Sequence, residues 1–436
     1  MGHLVAKDMY ERLGNKVDNL HVRAPVNAAF AEILKELYSL EEAEVVVKMP
    51  YVFSSLDRIS KLTKTEKTKL KNILDGLCLK GLVMDIYLQG EYRYMPSPLV
   101  VGIFEFTMMR TEGDLNSKHW ARLFHDYMEE GTPYYANFTD GSQVSIARAL
   151  PHEDAIEDHI EILDYEKVSH VIDEAGRYAV GLCSCRHKAE HTGERLCDVP
   201  MSTCTTLGHG ADYLIRNKMA QEVSKSEMLD IFARSKELGL IFSADNVQKR
   251  LMFICHCCGC CCGIIDGLNK HGLTATLVTS NYIASVDAET CNGCKMCEKA
   301  CHVKAISMKT LDSPSSDKKK KKRAVIDEAF CVGCGVCALK CKTNALKLVK
   351  RKNRVIHPKT TFERVILQCL ERGTLQNQLF DNPESVTQNV MRNIIGGFLK
   401  LPSVKKALMS DVLRSSFLTA MNSGVKFLGK GYLHDL

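Results

Sequence analysis

Two short cysteine runs contain the residues of this chain best suited to chemistry. In each run, two residues separate the first three cysteines from one another, and three residues separate the third from the fourth. Three thiolates on one tight turn can reach three iron corners of an iron–sulfur cube, while the fourth points away and reaches the cube of the other run. The spacing therefore predicts two [4Fe–4S] clusters, one bound by Cys291, Cys294, Cys297 and Cys341 and the other by Cys331, Cys334, Cys337 and Cys301.

Residues 286–350, which contain both runs, closely resemble the bacterial two-cluster ferredoxin domain. Short apolar segments before and after each run predict small strands, and Gly293 and Gly333 allow the backbone to pass close to the cluster sulfides. The resemblance implies a ferredoxin-like fold and electron transfer. Structural zinc ions or disulfides are the alternatives, and two identical runs are too regular for either.

The chain departs from the ferredoxin pattern after each fourth cysteine. That family usually has proline at this position, whereas this chain has His302 and Lys342. Ligation is expected to survive the change. The positive charge of Lys342 is expected to favour the reduced, more negative cluster and so to raise its potential.

Ten more cysteines lie upstream of the ferredoxin-like segment. They are Cys183, Cys185, Cys197, Cys204, Cys255, Cys257, Cys258, Cys260, Cys261 and Cys262. Apolar residues at helical spacing between the two groups predict a helix that ends at Gly239, in a helical hairpin that brings the groups together. The Cys183–His187 segment, the later cysteine-rich run and the ferredoxin pair together resemble poorly characterised multi-cluster 4Fe–4S proteins of anaerobes. That resemblance implies a cofactor and no particular substrate.

The ten upstream thiols permit several sets of metals. They suit two cubes with two thiols left over, one cube with structural thiols, or one unusual cluster with five ligands. Adjacent side chains diverge, so Cys257 and Cys258 are expected to serve different sites, as are Cys260 and Cys261. This geometry favours two clusters that share the run, and one or two further [4Fe–4S] clusters are expected in the block. Zinc is the main alternative, because thiolates alone suit both metals.

Charged and aromatic residues near these cysteines are expected to support the ligands. We expect His187, His191 and His256 to lie beside the metal sites without binding the metal, and Arg186 to offset thiolate charge. Cys78 and Cys369 lie in apolar helical patterns and are expected in the core.

Composition indicates a globular chain that keeps its thiols reduced. Of 436 residues 45% are hydrophobic, and the formal net charge of +6 does not by itself imply nucleic acid. We see no apolar leader and no apolar run of membrane-spanning length, the longest candidate, Leu99–Met109, being interrupted by Glu105. A cytoplasmic location is therefore expected, where metal ligation is favoured over disulfides.

The patterns predict an α+β, multidomain chain. The expected parts are an N-terminal arm or short helix (1–25), a winged-helix-like domain (26–110), a helical connector (111–180), a helical, cysteine-rich block (181–285), the two-cluster ferredoxin domain (286–350) and a helical C-terminal extension (351–436). Within the ferredoxin domain, the polar insertion at 312–323 is expected to be an exposed loop. A docking role for its basic run is the less favoured interpretation.

Three helices followed by a hairpin at Gln89-Gly90 give the N-terminal part its resemblance to winged-helix domains. DNA binding is one interpretation and docking to a protein is the favoured one. The presumed recognition helix carries Lys64, Lys67, Lys69 and Lys71, but Glu66 and Asp75 partly offset its positive charge. The C-terminal helices are expected to bind a partner or cap the fold, with membrane-surface contact less favoured.

Three functional hypotheses follow from these features. The favoured one is an electron-transfer subunit of a larger cytosolic oxidoreductase complex with protein redox partners. The others are a redox-sensing transcription regulator and a reductase with a catalytic cluster in the cysteine-rich block. No nucleotide-binding or hydrolase motif is present in the sequence.

Overall fold

A helical unit with a small sheet forms the N-terminal part of the computed structural model, which describes residues 2–112, 115–138, 142–157, 159–310 and 322–436. Its elements are α1 (Gly2–Asp18), α2 (Ala28–Leu37), α3 (Leu40–Lys48), β1 (Ser54–Ser55), α4 (Leu56–Thr63), α5 (Lys67–Lys80), β2 (Val83–Leu88) and β3 (Glu91–Pro96). The predicted helices and hairpin are present. Segment 1–25 contains α1, whose Leu13 and Val17 are fully buried.

The hairpin between β2 and β3 closes at the predicted two-residue turn. Gln89 and Gly90 both have positive φ angles, as a tight hairpin turn requires, and Leu88 faces Glu91 across the strands. β1 adds to the outer edge of β3, which gives the order β1-β3-β2. The winged-helix resemblance of this unit stays a prediction.

A helical segment next to this unit approaches the cysteines. An irregular turn at Leu99–Ile103, in which Val100, Val101 and Gly102 have non-helical backbone angles, leads into α6 (Phe104–Met109). The helices α7 (Ser117–Glu129) and α8 (Thr132–Asn137) follow. Glu105, which interrupts the apolar run, accepts a hydrogen bond from the backbone N–H of Gly102 at 3.1 Å. Ser184 donates to the Glu105 carbonyl at 2.9 Å and so ties α6 to the cysteine-rich block.

A six-stranded antiparallel sheet organises the middle of the chain, in the order β4-β8-β9-β6-β5-β7. Its strands are β4 (Ala147–Leu150), β5 (Tyr178–Leu182), β6 (Ser202–Leu207), β7 (Ala220–Glu222), β8 (Ile241–Asp245) and β9 (Phe253–Cys257). The helices around it are α9 (Val168–Ala175), α10 (Ser184–Thr192), α11 (Gly208–Arg216), α12 (Lys225–Glu237) and α13 (Gly263–Asn269).

The expectation that 111–180 is a helical connector and 181–285 a helical block is therefore wrong. β4 and β5 belong to the same sheet as the strands that carry Cys204, Cys255 and Cys257. The predicted helix before Gly239 exists as α12, but within the described residues 183–262 no helical hairpin brings the two cysteine groups together. They meet because β6 pairs with β9, with Cys204 directly opposite Cys255.

Two small antiparallel ribbons form the ferredoxin-like part. β10 (Tyr282–Val286) pairs with β13 (Leu346–Lys350), and β11 (Ile306–Thr310) pairs with β12 (Lys322–Ile326). Short helices α14 (Met296–Ala300) and α15 (Val336–Leu339) follow the two cysteine turns. Most of the insertion predicted at 312–323 lies outside the described residues; its last two residues begin β12.

The C-terminal extension folds back onto the N-terminal hairpin. It contains α16 (Thr361–Arg372), α17 (Leu375–Leu379), α18 (Val386–Leu399), α19 (Pro402–Met409) and α20 (Asp411–Phe427). Ile86 and Leu88 of the hairpin share an apolar core with residues of α16 and the C-terminus. Buried Asp381 forms ion pairs with Arg58 at 2.8 Å and with Lys430 at 3.0 Å.

Among the described residues, no helix is both long enough and apolar enough to cross a membrane.

Candidate metal centres

Each cysteine turn of the ferredoxin-like part needs a glycine at one position. Gly293 and Gly333 have φ angles of +70° and +67°, in the left-handed region. A Cβ on Gly293 would lie 2.3 Å from the Lys322 carbonyl oxygen, and one on Gly333 would lie 2.1 Å from that of Tyr282. Both turns are therefore pressed against a neighbouring strand, which fixes where their thiols point.

The eight ferredoxin thiols line two separate cavities, each of about 20 Å³. The outer site is the cavity lined by Cys291, Cys294, Cys297 and Cys341. The inner site is the cavity lined by Cys301, Cys331, Cys334 and Cys337. Each cavity thus combines three thiols of one run with the fourth of the other, which is the grouping that the predicted ligation requires.

The two sites differ in exposure. Cys294 of the outer site is exposed, whereas all four cysteines of the inner site are half-buried or buried. Burial, together with the charges of Cys301 and Cys331, raises the pKa of the Cys334 thiol to about 12. Such thiols become thiolates only when cations offset their charge, and the iron ions of a cluster supply that charge.

The upstream thiols divide into two groups. The thiol quartet is the compact group Cys197, Cys258, Cys260 and Cys261, whose sulfurs all lie within 4.8 Å of one another. The cavity thiols are the other six, which line an internal cavity of about 140 Å³; they are Cys183, Cys185, Cys204, Cys255, Cys257 and Cys262. Cys258 and Cys261 of the quartet also reach the wall of this cavity.

The internal cavity, here called the thiol-lined cavity, has mostly apolar walls apart from its sulfurs. Phe104, Phe106 and Leu214 contribute to the wall. The Cys262 and Cys257 sulfurs lie 3.2 Å apart. Hydrogen bonding to Cys204, together with burial, raises the pKa of the Cys255 thiol well above its ordinary value. A set of buried thiols with room between them suits a cluster that brings its own positive charge.

The two adjacent cysteine pairs of the run behave differently. Cys257 lines the cavity, whereas Cys258 both lines it and joins the quartet. Cys260 and Cys261 both belong to the quartet, with sulfurs 3.5 Å apart, although Cys261 alone of the two also lines the cavity. That they serve different sites stays a prediction. The turn after β9 brings these neighbouring sulfurs together.

Arg186 is a buried cation between the two upstream groups. It is 1% exposed, and its guanidinium donates to the His256 carbonyl and to Thr203 Oγ1. Burial opposes its charge, but the neighbouring thiols Cys183, Cys258 and Cys257 raise its pKa above the ordinary value. Its position supports the expectation that it offsets thiolate charge.

The three histidines lie beside the thiols and have other partners. His187 Nδ1 lies 2.7 Å from the Met108 carbonyl oxygen, and its Nε2 lies 2.9 Å from that of His191. Burial and the nearby Arg186 lower the pKa of His256 to about 3. Within the described parts of the chain, no histidine joins a compact group with the cysteines.

All 20 cysteines have free thiols, and none forms a disulfide. Residues 290–345 match the protein family described as 4Fe-4S dicluster domain. This segment is an iron–sulfur, ferredoxin-like domain. No curated protein and no solved structure matches the chain. The resemblance of the rest of the chain to multi-cluster proteins of anaerobes thus stays a prediction.

His302 connects the dicluster domain to the cysteine-rich turn. Its Nε2–H donates to the Gly239 carbonyl at 2.8 Å, and its Nδ1 accepts from the Gly259 N–H at 3.2 Å. Asn269 donates to the His302 carbonyl at 2.9 Å. Sequence reasoning treated His302 only as a replacement for proline. The signal in the sequence was the departure from the usual proline, since a proline could make neither of these side-chain hydrogen bonds.

Glu105 is a second functional candidate that sequence reasoning missed, having treated it only as an interruption of an apolar run. It lines the thiol-lined cavity, and burial raises its pKa to about 7 although two backbone hydrogen bonds oppose the shift. The carboxyl therefore changes charge near neutral pH beside the cavity thiols, which gives this wall a proton-binding group.

The Glu105 shift predicts a pH-dependent stability. A carboxyl whose pKa is raised in the folded state favours folding below its unfolded pKa, so stability is lost as pH rises from about 4.5 to about 7 and is level above that. The loss amounts to at most about 3 kcal/mol. Glu105→Gln should remove this part of the pH dependence, measured as anaerobic melting temperature from pH 5 to 8. Surface Glu112→Gln is the control; equal pH slopes in wild type and Glu105→Gln would contradict the prediction.

Proposed function

We propose that this chain is an electron-transfer subunit of a larger cytosolic redox complex, with a relay that runs from the outer site through the inner site to a cluster in the thiol-lined cavity. The observation that carries the proposal is the apolar core that the last two centres share. Cys301, Cys331 and Cys334 of the inner site pack in the same apolar core as Cys257 and Cys262 of the cavity. The two His302 hydrogen bonds hold these parts in place.

The exposed outer site is the proposed exchange point with a redox partner. Cys294 reaches the surface, and exposed Lys295, Lys299 and Lys342 lie on or beside its loops. These charges favour an acidic partner surface and speed its encounter at low salt. Each transfer moves one electron, so that the donor is oxidised and the accepting [4Fe–4S] cluster becomes more negative by one charge. The protein sets the potentials of the clusters through burial and local charge.

The thiol-lined cavity supports a third cluster on three grounds. It offers six sulfurs where one cube needs four, its volume of about 140 Å³ leaves space between them, and buried Arg186 offsets the negative charge of a thiolate-bound cluster. The carboxyl of Glu105 would hold a proton next to this centre. This also favours the second candidate function, a reductase whose catalytic centre is the cavity cluster.

Removing the inner cluster tests the relay. In Cys331→Ala, a protein-sized donor that cannot enter the core should reduce the upstream cluster at least tenfold more slowly than in the wild type. Stopped-flow absorbance and freeze-quench EPR measure the rate of this reduction. Cys369→Ala, a buried cysteine outside both thiol groups, is the control. An unchanged reduction rate of the upstream signal would exclude the relay. Turnover of a substrate at a ligand-sensitive upstream EPR signal would favour the reductase.

Ion pairs on α5 weaken the regulator hypothesis. Lys67, Lys69 and Lys71 of the presumed recognition helix each form an ion pair at 2.5–2.8 Å, with Asp57, Glu41 and Asp75 respectively. A nucleic-acid interface needs lysines free to replace counterions along the phosphates. We therefore favour protein docking for this unit, and a DNA shift assay with and without oxygen tests it.

Lys342 offers a test of how charge tunes the outer cluster. Lys342→Glu replaces a positive with a negative charge next to Cys341, which disfavours the reduced form and should lower the midpoint potential of one dicluster centre. Because the side chain is exposed and screened, the shift should be on the order of tens of millivolts. Anaerobic redox titration followed by EPR measures it. Lys61→Glu, the same charge change on α4, should leave both potentials in place; no movement in Lys342→Glu would refute the prediction.

A further inference from the structure

Among the described residues, the thiol quartet is the one group of three or more cysteines whose sulfurs all lie within 4.8 Å of one another. Four sulfur pairs within it are separated by 3.5 to 3.9 Å, namely Cys258–Cys260, Cys260–Cys261, Cys197–Cys258 and Cys197–Cys261. A zinc ion with four Zn–S bonds of about 2.3 Å in a tetrahedron keeps its sulfurs about 3.8 Å apart. The quartet therefore has the dimensions of a site for one ion.

The dicluster thiols provide an internal comparison. A cube places four irons between its cysteine sulfurs and so must keep those sulfurs farther apart than a single ion does. Among the described residues, neither the outer nor the inner dicluster set forms a group with all its sulfurs within 4.8 Å, and the six cavity thiols do not either. The two dicluster sites thus hold widely spaced thiols, and in the cavity Cys257 and Cys262 approach as a pair with no third sulfur of the described residues within 4.8 Å of both, whereas the quartet brings four sulfurs together.

We propose that Cys197, Cys258, Cys260 and Cys261 bind one structural zinc ion, separate from the iron–sulfur centres. All four ligand positions come from the protein, which is the pattern of structural rather than catalytic zinc. Three ligands lie in the turn after β9, and the fourth comes from the loop between α10 and β6, so the ion joins two segments that are distant in sequence. The role of the ion is to hold the wall of the thiol-lined cavity.

Surrounding bonds fix the ligand loops and offset the charge of the site. Four thiolates and one zinc ion carry a net charge of −2. Arg186 lies close enough to Cys258 to reduce the free-energy cost of burying this charge. Arg195 donates through Nε to the Cys197 carbonyl at 2.9 Å, and His302 accepts from the Gly259 N–H within the turn. Such contacts around the ligands orient them and tune the site.

Metal analysis of the full-length, anaerobically purified chain tests the proposal. The wild type, produced in iron-sufficient medium, should contain about one zinc per chain, and zinc-edge X-ray absorption should show four sulfurs at about 2.3 Å. Cys260→Ala should lose at least two thirds of the zinc while keeping its iron and acid-labile sulfide. Cys369→Ala, the matched control, should keep all three.

The outcomes separate this proposal from the electron relay. Absence of zinc in the wild type, a single iron bound in its place, or loss of about four irons with their sulfide in Cys260→Ala would each overturn the zinc site. The wild-type spectrum decides the matter even if the variant does not fold. A zinc site in a chain without dicluster iron would overturn the proposed function and leave this inference standing.

Discussion

Replacing Cys301 with alanine is expected to remove the cluster of the inner site, with the loss of about four irons and four sulfides. Although Cys301 belongs to the first run in sequence, it lines the same cavity as Cys331, Cys334 and Cys337. Its loss should therefore leave the outer cluster in place. Iron and sulfide analysis with EPR of the dithionite-reduced protein measures the effect, and Cys369→Ala is the control.

Double variants test this crossed ligation directly. Cys301→Ala with Cys331→Ala should lose no more iron than Cys301→Ala alone, since both residues serve one cluster. Cys301→Ala with Cys291→Ala should lose about eight irons, because Cys291 lines the outer site. The opposite ranking of the two double variants would show that each run binds its own cluster.

Replacing Arg186 with methionine is expected to have the next largest effect, destabilising the chain by about 3–5 kcal/mol. The side chain is 1% exposed, and it neutralises charge between the quartet and the cavity thiols. Its removal leaves thiolates without a counter-charge and carbonyl groups without a donor. The amount of metal bound by the upstream thiols should fall. The midpoint potential of a cluster that remains there should decrease. Anaerobic thermal unfolding and metal analysis measure both effects.

A second buried arginine gives the matched control. Arg148 is also fully buried in the six-stranded sheet, but its guanidinium donates to the carbonyls of Tyr165 and Val247 and its charged neighbours are not thiols. Arg148→Met should destabilise the chain without lowering its zinc content or its iron. Arg186→Lys should keep more metal than Arg186→Met because it keeps the charge. Equal metal content in Arg186→Met and wild type would contradict the assigned role.

The dicluster domain could be predicted from the sequence because three of the four cysteines at each site lie on one local turn. The spacing within each run fixes which thiols share a turn, and Gly293 and Gly333 occupy the positions where the backbone needs a positive φ. The N-terminal helices and the hairpin at Gln89-Gly90 were also predictable, since their apolar periods and turn residues act over a few positions.

The six-stranded sheet could not be predicted in the same way. Its strands are short and separated by helices such as α12, whose apolar pattern around Phe232 correctly indicated a helix. No local pattern indicated that β6 and β9 pair with each other. The partition of the upstream thiols depends on that pairing and on the turn after β9, which brings Cys260 and Cys261 into one compact group. Charge neutralisation on α5 was likewise hidden, because Glu41 and Asp57 pair with lysines that are distant in sequence.

Iron, sulfide and zinc content of the anaerobically purified chain, combined with EPR after dithionite reduction, tests the central claim most directly. The two dicluster clusters alone require about eight irons and eight sulfides, and a cavity cluster raises both to about twelve. A brown protein with these contents and with signals of reduced [4Fe–4S] clusters is the predicted result. A colourless protein that binds no iron and gives no EPR signal would contradict the account, as would a structure with the eight dicluster sulfurs joined in pairs or bound to zinc.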